Sequence, residues 1–454
     1  MYRKLTNDQS IKKWFKHGFW NTLEHAITRV ADAVTSLVLL WALAPEAFSK
    51  LALAQAFTAP LLFLFISPEV VIYRDFAQWR EQGSGFLAGK IRAFRLFAWG
   101  KAQLALVIAF IIPLIWQSEN GYIEEFFAII WAFSLTLAPQ VSGPDREFLR
   151  LDLKLEQLNL LSFYQKGTLL GGTILVALLP ESVPIPKNSV ILFSLVAAFS
   201  NVSTAFLARS FALKQFIFEG VTKEGLKGLQ GPAPWQTIFD SIRSFSIWSH
   251  VSGVVSNWVQ TMDLFFLGLF GLAPREIGLY AAALKLANFS TALPTALANL
   301  FSLWIGRRKY DAEGKIREVR DLRRFTIGLF AANCLQAILM GVITPFIISI
   351  LSHGRWSFFE QTNIFVWFLW ILSGSVLLTS AFLINSWFVL RGRIKSLLFK
   401  VTLPWAFLSL IIYAVSIRIG GFYGAAVANL AISASYLLVL WGYSRIELAN
   451  KDEL

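Results

Sequence analysis

Long runs of apolar residues alternate with short polar breaks along the whole chain of 454 residues. Each run has roughly the 20 residues that an α-helix needs to cross the hydrocarbon core of a bilayer. No run shows the strict alternation over about ten residues that marks a transmembrane β-strand. The pattern predicts about twelve membrane-spanning helices, near residues 18–43, 48–72, 93–116, 123–142, 157–180, 188–213, 238–270, 276–305, 325–351, 363–390, 396–418 and 421–443.

A short segment occurs twice along this pattern. Residues 43–57 read LAPEAFSKLALAQAF, and residues 272–286 read LAPREIGLYAAALKL. Each copy follows the first long apolar run of its half and leads directly into the second. The repeat therefore predicts two six-helix lobes, residues 1–230 and 231–454, related as parallel copies of one bundle. Paired repeats around a central cavity are typical of transporters.

The composition agrees with an all-α integral membrane protein. Hydrophobic residues make up 56% of the chain and charged residues 15%, against about 25% charged in ordinary soluble domains. The net charge of +13 concentrates in alternate loops, such as residues 3–16, 74–95 and 307–324. By the positive-inside rule this distribution places both termini in the cytoplasm. The cations thus indicate topology and attraction to the lipid bilayer, and we expect no nucleic-acid partner.

The first predicted helix carries a polar stripe on an otherwise apolar surface. Its members recur at spacings of three and four residues and so share one face: Asn21, His25, Arg29, Asp32 and Ser36. A charge at the centre of a span costs about 2.5–3.5 kcal/mol, so it usually faces a cavity or a partner. One interpretation is a cavity wall that binds a polar or anionic group. The other is an ion pair of Arg29 with His25 or Asp32 that holds helices together.

Other predicted helices add single polar candidates. Lys166 lies near the middle of the fifth helix, and Lys285 lies inside the second copy of the repeat. His250 and Asn257 share one face of the seventh helix, where a histidine either contributes to transport or packs between helices. Asp263 near the end of that helix has two interpretations as well. One is a protonatable or cation-binding coupling site, and the other is the counter-ion of Lys285. Asp32 is a second candidate for a coupling site.

Catalysis has little support in the sequence. The single cysteine, Cys334, excludes an intramolecular disulfide or a cysteine metal cluster. No phosphate-binding loop, zinc-protease motif or nucleophile elbow is present. We therefore expect no catalytic residues, no metal and no cofactor. A membrane-embedded glycan polymerase or ligase stays as the enzyme alternative, although its usual large outer loop is not predicted.

Three segments of the sequence resemble those of a known transporter family. The Leu-Ala-Pro-Glu-x-Phe turn after the first helix, Tyr-Arg-Asp-Phe at 73–76 and the run of residues 263–298 are its motifs. Together with the two six-helix halves they resemble the polysaccharide transporter branch of the multidrug/oligosaccharidyl-lipid/polysaccharide exporter superfamily. The resemblance implies a V-shaped pair of lobes with a cationic central cavity, in which Arg29, Lys166 and Lys285 would bind substrate.

The resemblance also implies a function. Such proteins are O-antigen type flippases that move an undecaprenyl-diphosphate-linked oligosaccharide from the inner to the outer leaflet of the bacterial inner membrane. A proton or a sodium ion would drive the cycle, and polysaccharide polymerase proteins would be partners. A multidrug or metabolite exporter of the same superfamily is the main alternative. A cationic drug would favour carboxylates over lysines in the cavity, which distinguishes the two functions.

Overall fold

The described part of the chain is entirely helical. A computed structural model describes residues 30–66, 70–116, 122–179, 190–221, 247–289, 312–351, 362–390 and 393–449, together with residues 27, 28, 236 and 239. Helices joined by turns fill these ranges, and no strand occurs within them. The predicted all-α class is therefore confirmed. His25 and Arg29 lie outside the described residues.

The helices of the first half follow the apolar runs. They are α1 (Val30–Ala42), α2 (Pro45–Thr58), α3 (Val70–Glu81), α4 (Ser84–Trp116), α5 (Tyr122–Thr136), α6 (Ala138–Leu151), α7 (Leu155–Ala177) and α8 (Val190–Phe218). A 3₁₀ turn, Pro60–Leu64, follows α2. Pro60 ends the α-helix there because its ring removes a backbone donor and clashes with the preceding turn.

The helices of the second half are interrupted more often. They are α9 (Ile247–Val259), α10 (Met262–Leu269), α11 (Pro274–Phe289), α12 (Ala312–Leu351), α13 (Thr362–Leu390), α14 (Ile394–Leu397) and α15 (Leu403–Ala449). A π-helical turn, Leu398–Thr402, joins α14 to α15. The predicted seventh helix is divided at Thr261, whose φ of −118° and ψ of 1° are not helical.

Seven segments among the described residues are long and apolar enough to cross a membrane. They are Pro45–Leu64, Ser84–Leu114, Tyr122–Leu151, Val190–Phe218, Asp321–Phe346, Phe368–Asn385 and Ile394–Ile446. The architecture is that of a multi-pass membrane protein. The count of about twelve spans and the cytoplasmic termini stay predictions.

The last of these segments contains two predicted spans. Gly421 has a φ of 55°, a left-handed conformation that glycine adopts without steric cost. Before and after it, the rings of Trp405 and Tyr436 stack with their centroids 4.0 Å apart. The indole N–H of Trp405 also donates to the carbonyl of Ile432 at 3.2 Å. The chain therefore doubles back at Gly421, and α15 is a helical hairpin.

The third predicted span begins earlier than its hydropathy indicates. We expected it near residue 93, and α4 begins at Ser84. Leu87, Ile91 and Phe94 recur at helical spacing and are buried in one apolar cluster. The added turns therefore form because one face is covered by protein, while the cations between these positions lower the mean hydropathy.

The described residues form two compact units. The first contains Leu64–Ile247 and the chain up to Val38, and the second contains Leu39–Phe63 and Trp248–Leu454. In the first unit the guanidinium of Arg95 on α4 donates to both carboxylate oxygens of Asp145 on α6, with its Nε–Oδ2 distance at 2.9 Å. This buried ion pair ties α4 to α6. The predicted division at residue 230 stays a prediction.

In the second unit, the two copies of the Leu-Ala-Pro segment pack against each other. Pro45 begins α2 and Pro274 begins α11, and these helices are in extensive contact. The closest approach is at Gly278, where an added Cβ would overlap the carbonyl oxygen of Pro45. Ser49, which occupies the matching position of the first copy, is also small and buried. Small residues let helix backbones approach closely in membrane proteins.

This packing predicts the effect of Gly278→Ala. The added methyl group has to displace the backbone of α2, so we expect a loss of about 1–3 kcal/mol in the free energy of unfolding. Gly442→Ala on α15 is the matched control, because its Cβ meets no atom within 4 Å. Thermal unfolding of the purified protein in detergent measures both variants. Equal melting temperatures would contradict the close approach of α2 and α11.

Candidate functional site

The first unit contains an ion pair between two apolar helices. The ammonium group of Lys166 on α7 donates to Oδ1 of Asp32 on α1 at 2.6 Å. The side chain of Lys166 is 19% exposed and that of Asp32 is 41% exposed. The pair neutralises two charges that would each be costly inside a membrane. It is also open enough on the Asp32 side for a third group to approach.

An amide network continues from Lys166 to a second cation. Gln165, the preceding residue on α7, accepts from the guanidinium of Arg146 on α6 at 2.7 Å. Its own amide nitrogen donates to Oδ1 of Asn201 on α8 at 2.6 Å. The hydroxyl of Ser200 donates to the Gln165 carbonyl at 2.6 Å. Two helices, α6 and α8, therefore fix the turn of α7 that carries Lys166.

The second unit contains a carboxylate enclosed by neutral donors. Asp263 on α10 is 0% exposed. Its Oδ1 accepts from the backbone N–H of Leu264 at 2.8 Å, and its Oδ2 accepts from the hydroxyl of Tyr280 on α11 at 2.8 Å. The amide of Asn429 on α15 donates to Oδ2 at 3.4 Å. Hydrogen bonds to a carboxylate replace the water that it loses on burial.

The second unit also contains a pocket of about 310 Å³ with several polar side chains in its lining. Its lining residues come from α9 and the turn that follows it, and from α13, α14 and α15. They are Ser252, Gly253, Ser256, Asn257, Gln260, Leu378, Asn385, Ile394, Trp405 and Tyr436. We call this cavity the polar pocket. A smaller cavity of about 40 Å³ shares Gln260, Leu378 and Trp405 with it and is also lined by Asn429.

The structure brings some of the predicted site residues together. Asp32 and Lys166 form the ion pair of the first unit, and Asn257 lines the polar pocket. His250 lies on α9 with its Nε2 at 3.4 Å from the carbonyl oxygen of Phe63. Lys285 is half-buried on α11, outside the lining of the polar pocket. The hydrogen bonds described for Asp263 come from neutral donors. Its role, as a coupling site or as the counter-ion of Lys285, stays a prediction.

Several residues of these clusters were missed by the sequence analysis. Arg146 and Gln165 in the first unit, and Asn429 and Tyr436 in the second, had no assigned role. A signal for the last two was present, because Asn429, Ser433 and Tyr436 recur at spacings of four and three residues and thus share a helix face. Arg146 gave no such signal, since cations near a helix end usually mark topology.

Comparison with known proteins identifies the fold. No protein-family profile and no curated protein matches the chain. It is similar to the inward-facing conformation of a multidrug resistance MATE family transporter of the MOP superfamily (TM-score 0.64, 12% identity, 95% of this chain and 99% of that chain). It is also similar to a mutant of the Vibrio cholerae MATE transporter VcmN (0.55, 15%, 98% and 99%) and to a MATE in complex with MaL6 (0.52, 11%, 95% and 92%). The chain therefore has a MATE-like transporter fold.

The enclosure of Asp263 predicts the effect of Asp263→Asn. The amide retains the volume of the carboxylate, but its NH₂ group has to face at least one of the present donors. We expect a loss of about 1–3 kcal/mol in the free energy of unfolding. Glu276→Gln makes the same chemical change in the first turn of α11 and should cost a few tenths of a kcal/mol. Thermal unfolding of both variants measures the difference, and equal stabilities would refute the hydrogen-bonded arrangement.

Proposed function

We propose that the chain is a flippase that moves an undecaprenyl-diphosphate-linked oligosaccharide from the inner to the outer leaflet of a bacterial inner membrane. The observation that carries the proposal is the ion pair of the first unit, in which the Lys166 ammonium group is bound to the partly exposed carboxylate of Asp32. A MATE-like fold supplies the transporter scaffold. The assignment of a lipid-diphosphate substrate rests on the chemistry of a lysine that can exchange its anionic partner.

The ion pair suits a lipid diphosphate because it permits an exchange of partners. A diphosphate must lose much of its hydration to cross a low-dielectric region, and a fixed ammonium group replaces part of that water. In the structure Asp32 neutralises Lys166. When a phosphate oxygen takes the place of Asp32, the ammonium group is never left without a counter-charge, which would cost several kcal/mol.

Further residues are assigned to substrate binding in the same proposal. Arg29 and His25 precede Asp32 on the predicted polar stripe, and Lys285 adds a cation on α11. His250 and Asn257 supply polar groups on α9. These five residues are the further substrate-binding candidates of the proposal.

The same exchange offers a coupling mechanism. Once phosphate binds Lys166, the carboxylate of Asp32 loses its cation and becomes a site for a proton or a sodium ion. Asp263 is the second coupling candidate, because its carboxylate is enclosed by neutral donors. A glycan delivered to the outer leaflet is a substrate for polysaccharide polymerase proteins, which are the partners that we propose.

The alternative is a multidrug exporter, as the MATE transporter of similar fold is described. A cationic drug would bind the carboxylate of Asp32 and be repelled by Lys166. The two functions therefore predict opposite roles for the members of the ion pair. That opposition makes the pair the best place for a test.

Substitutions at the ion pair should change diphosphate binding in opposite directions. We expect Lys166→Gln to weaken binding of undecaprenyl diphosphate at least tenfold, because a charged hydrogen bond of about 1.5–3 kcal/mol is lost. Asp32→Asn should tighten binding several-fold, because the competing carboxylate is removed. Microscale thermophoresis with the purified protein in nanodiscs measures both. Flipping of a fluorescent lipid-linked oligosaccharide in proteoliposomes should fall in Lys166→Gln.

Lys214→Gln, which removes an exposed cation from α8, is the matched control and should change neither quantity. Weaker binding in both Lys166→Gln and Asp32→Asn would mean that the pair only holds α1 against α7. Loss of cationic dye transport in Asp32→Asn, with full transport in Lys166→Gln, would instead establish the exporter function.

A further inference from the structure

The polar pocket of the second unit has an unusual lining for a cavity in an apolar helix bundle. Its hydrogen-bonding groups are hydroxyls of serine and tyrosine, amides of asparagine and glutamine, and an indole. No charged side chain occurs among the described residues that line it. An inorganic anion or an organic cation would find no counter-charge in this lining. A neutral ligand with many hydroxyl groups would find donors and acceptors on several sides.

Several polar atoms in the wall of the pocket are buried without a well-formed hydrogen bond in the described part of the chain. They are Ser256 Oγ, Asn385 Oδ1 and the hydroxyl of Tyr436. Tyr436 is only 4% exposed. Its hydroxyl lies near those of Ser256 and Thr402, but no hydrogen-bond geometry is satisfied among them. Since each unsatisfied group costs about 1–3 kcal/mol, a partner from outside the chain is expected.

The aromatic side of the pocket is held in a fixed orientation. Trp405 stacks on Tyr436 at a centroid distance of 4.0 Å, and its ring N–H is already bound to the carbonyl of Ile432. Tyr436 covers one face of the Trp405 ring, so the remaining ring surface, rather than the indole N–H, is what Trp405 offers the pocket. Flat aromatic surfaces combined with a few convergent polar groups are characteristic of small-molecule sites. The C–H faces of a sugar ring match the flat aromatic surfaces, and its hydroxyl groups match the polar groups.

The size of the pocket limits what it holds. Its volume of about 310 Å³ lies at the lower end of the roughly 300–1,000 Å³ that small-molecule sites occupy. A small portion of a glycan fits this volume, whereas an entire repeat unit with its lipid does not. We propose that the polar pocket is a sugar-binding subsite, which hydrogen-bonds neutral sugar residues of the transported glycan through Ser256, Asn385 and Tyr436.

This inference rests on the proposed function, because it assigns the pocket to the glycan of the same substrate. The experiment uses two probes that separate the parts of that substrate. One is the water-soluble oligosaccharide released by mild acid from the carrier lipid of the source bacterium. The other is undecaprenyl diphosphate without sugars. Binding of each to the full-length protein in nanodiscs is measured by isothermal titration calorimetry or thermophoresis.

We expect Ser256→Ala and Tyr436→Phe each to weaken binding of the released oligosaccharide about tenfold, as loss of one buried hydrogen bond predicts. Binding of undecaprenyl diphosphate should be unchanged. The melting temperature should stay equal or rise, because neither hydroxyl makes a well-formed hydrogen bond within the described part of the chain. A hydroxyl with a purely structural role would lower the melting temperature instead.

Ser435→Ala is the matched control, since Ser435 neighbours Tyr436 but donates to the Ile432 carbonyl at 2.8 Å and does not line the pocket. It should retain full affinity for the oligosaccharide. Absence of oligosaccharide binding in the unmodified protein, or equal affinity in Ser256→Ala and Tyr436→Phe, would overturn the subsite. If the unmodified protein binds the oligosaccharide through these residues but not undecaprenyl diphosphate, the proposed function fails and the subsite stands.

Discussion

The interior of a membrane cannot solvate a charge, and this constraint decides how the helices of each unit meet. In the second unit the carboxylate of Asp263 collects donors from two neighbouring helices, through Tyr280 on α11 and Asn429 on α15. The positions of these helices are therefore linked through one side chain. Separating any of them would leave a buried carboxylate short of a donor, which costs more than the loss of ordinary apolar contact.

The first unit meets the same constraint in another way. Its charge on Lys166 is balanced by an opposite charge on Asp32 instead of by neutral dipoles. A salt bridge of this kind can exchange one of its members for a ligand of the same sign, whereas an enclosed carboxylate among dipoles cannot. The two solutions therefore suit different tasks. The ion pair joins α1 to α7 through opposite charges, and the enclosed carboxylate joins α10 to α11 and α15 through neutral donors.

Most of the fold could be predicted from the sequence, because hydropathy alone determines which segments lie in a bilayer. The apolar runs located most of the described helices, and the turn at Gly421 lies between two predicted spans. The helix α3 was not predicted, because its residues are mostly polar and lie in a connection rich in cations. The early start of α4 was not predictable from hydropathy. Burial of Leu87, Ile91 and Phe94 against other helices is a tertiary effect, and the intervening cations conceal it.

The sites were less accessible to prediction than the fold. Periodicity placed Lys166 and Asp32 on polar faces of their helices, but it could not pair residues that lie far apart in the chain. Within one helix, an ion pair of Arg29 with His25 or Asp32 was one of two open interpretations of the polar stripe. The polar pocket was harder still. Its groups come from separate helices, and neutral amides and hydroxyls occur in apolar helices without any functional role.

The duplicated Leu-Ala-Pro segment has a consequence for how this chain can change over time. Because α2 and α11 contact each other, a substitution in one copy of the segment affects the packing of the other copy. A larger residue at Gly278 has to be answered by movement of the backbone at Pro45, the first helical position of the other copy. Divergence between the halves is thus restricted where they touch, and an alignment of one half with the other should retain its small residues longest at that contact.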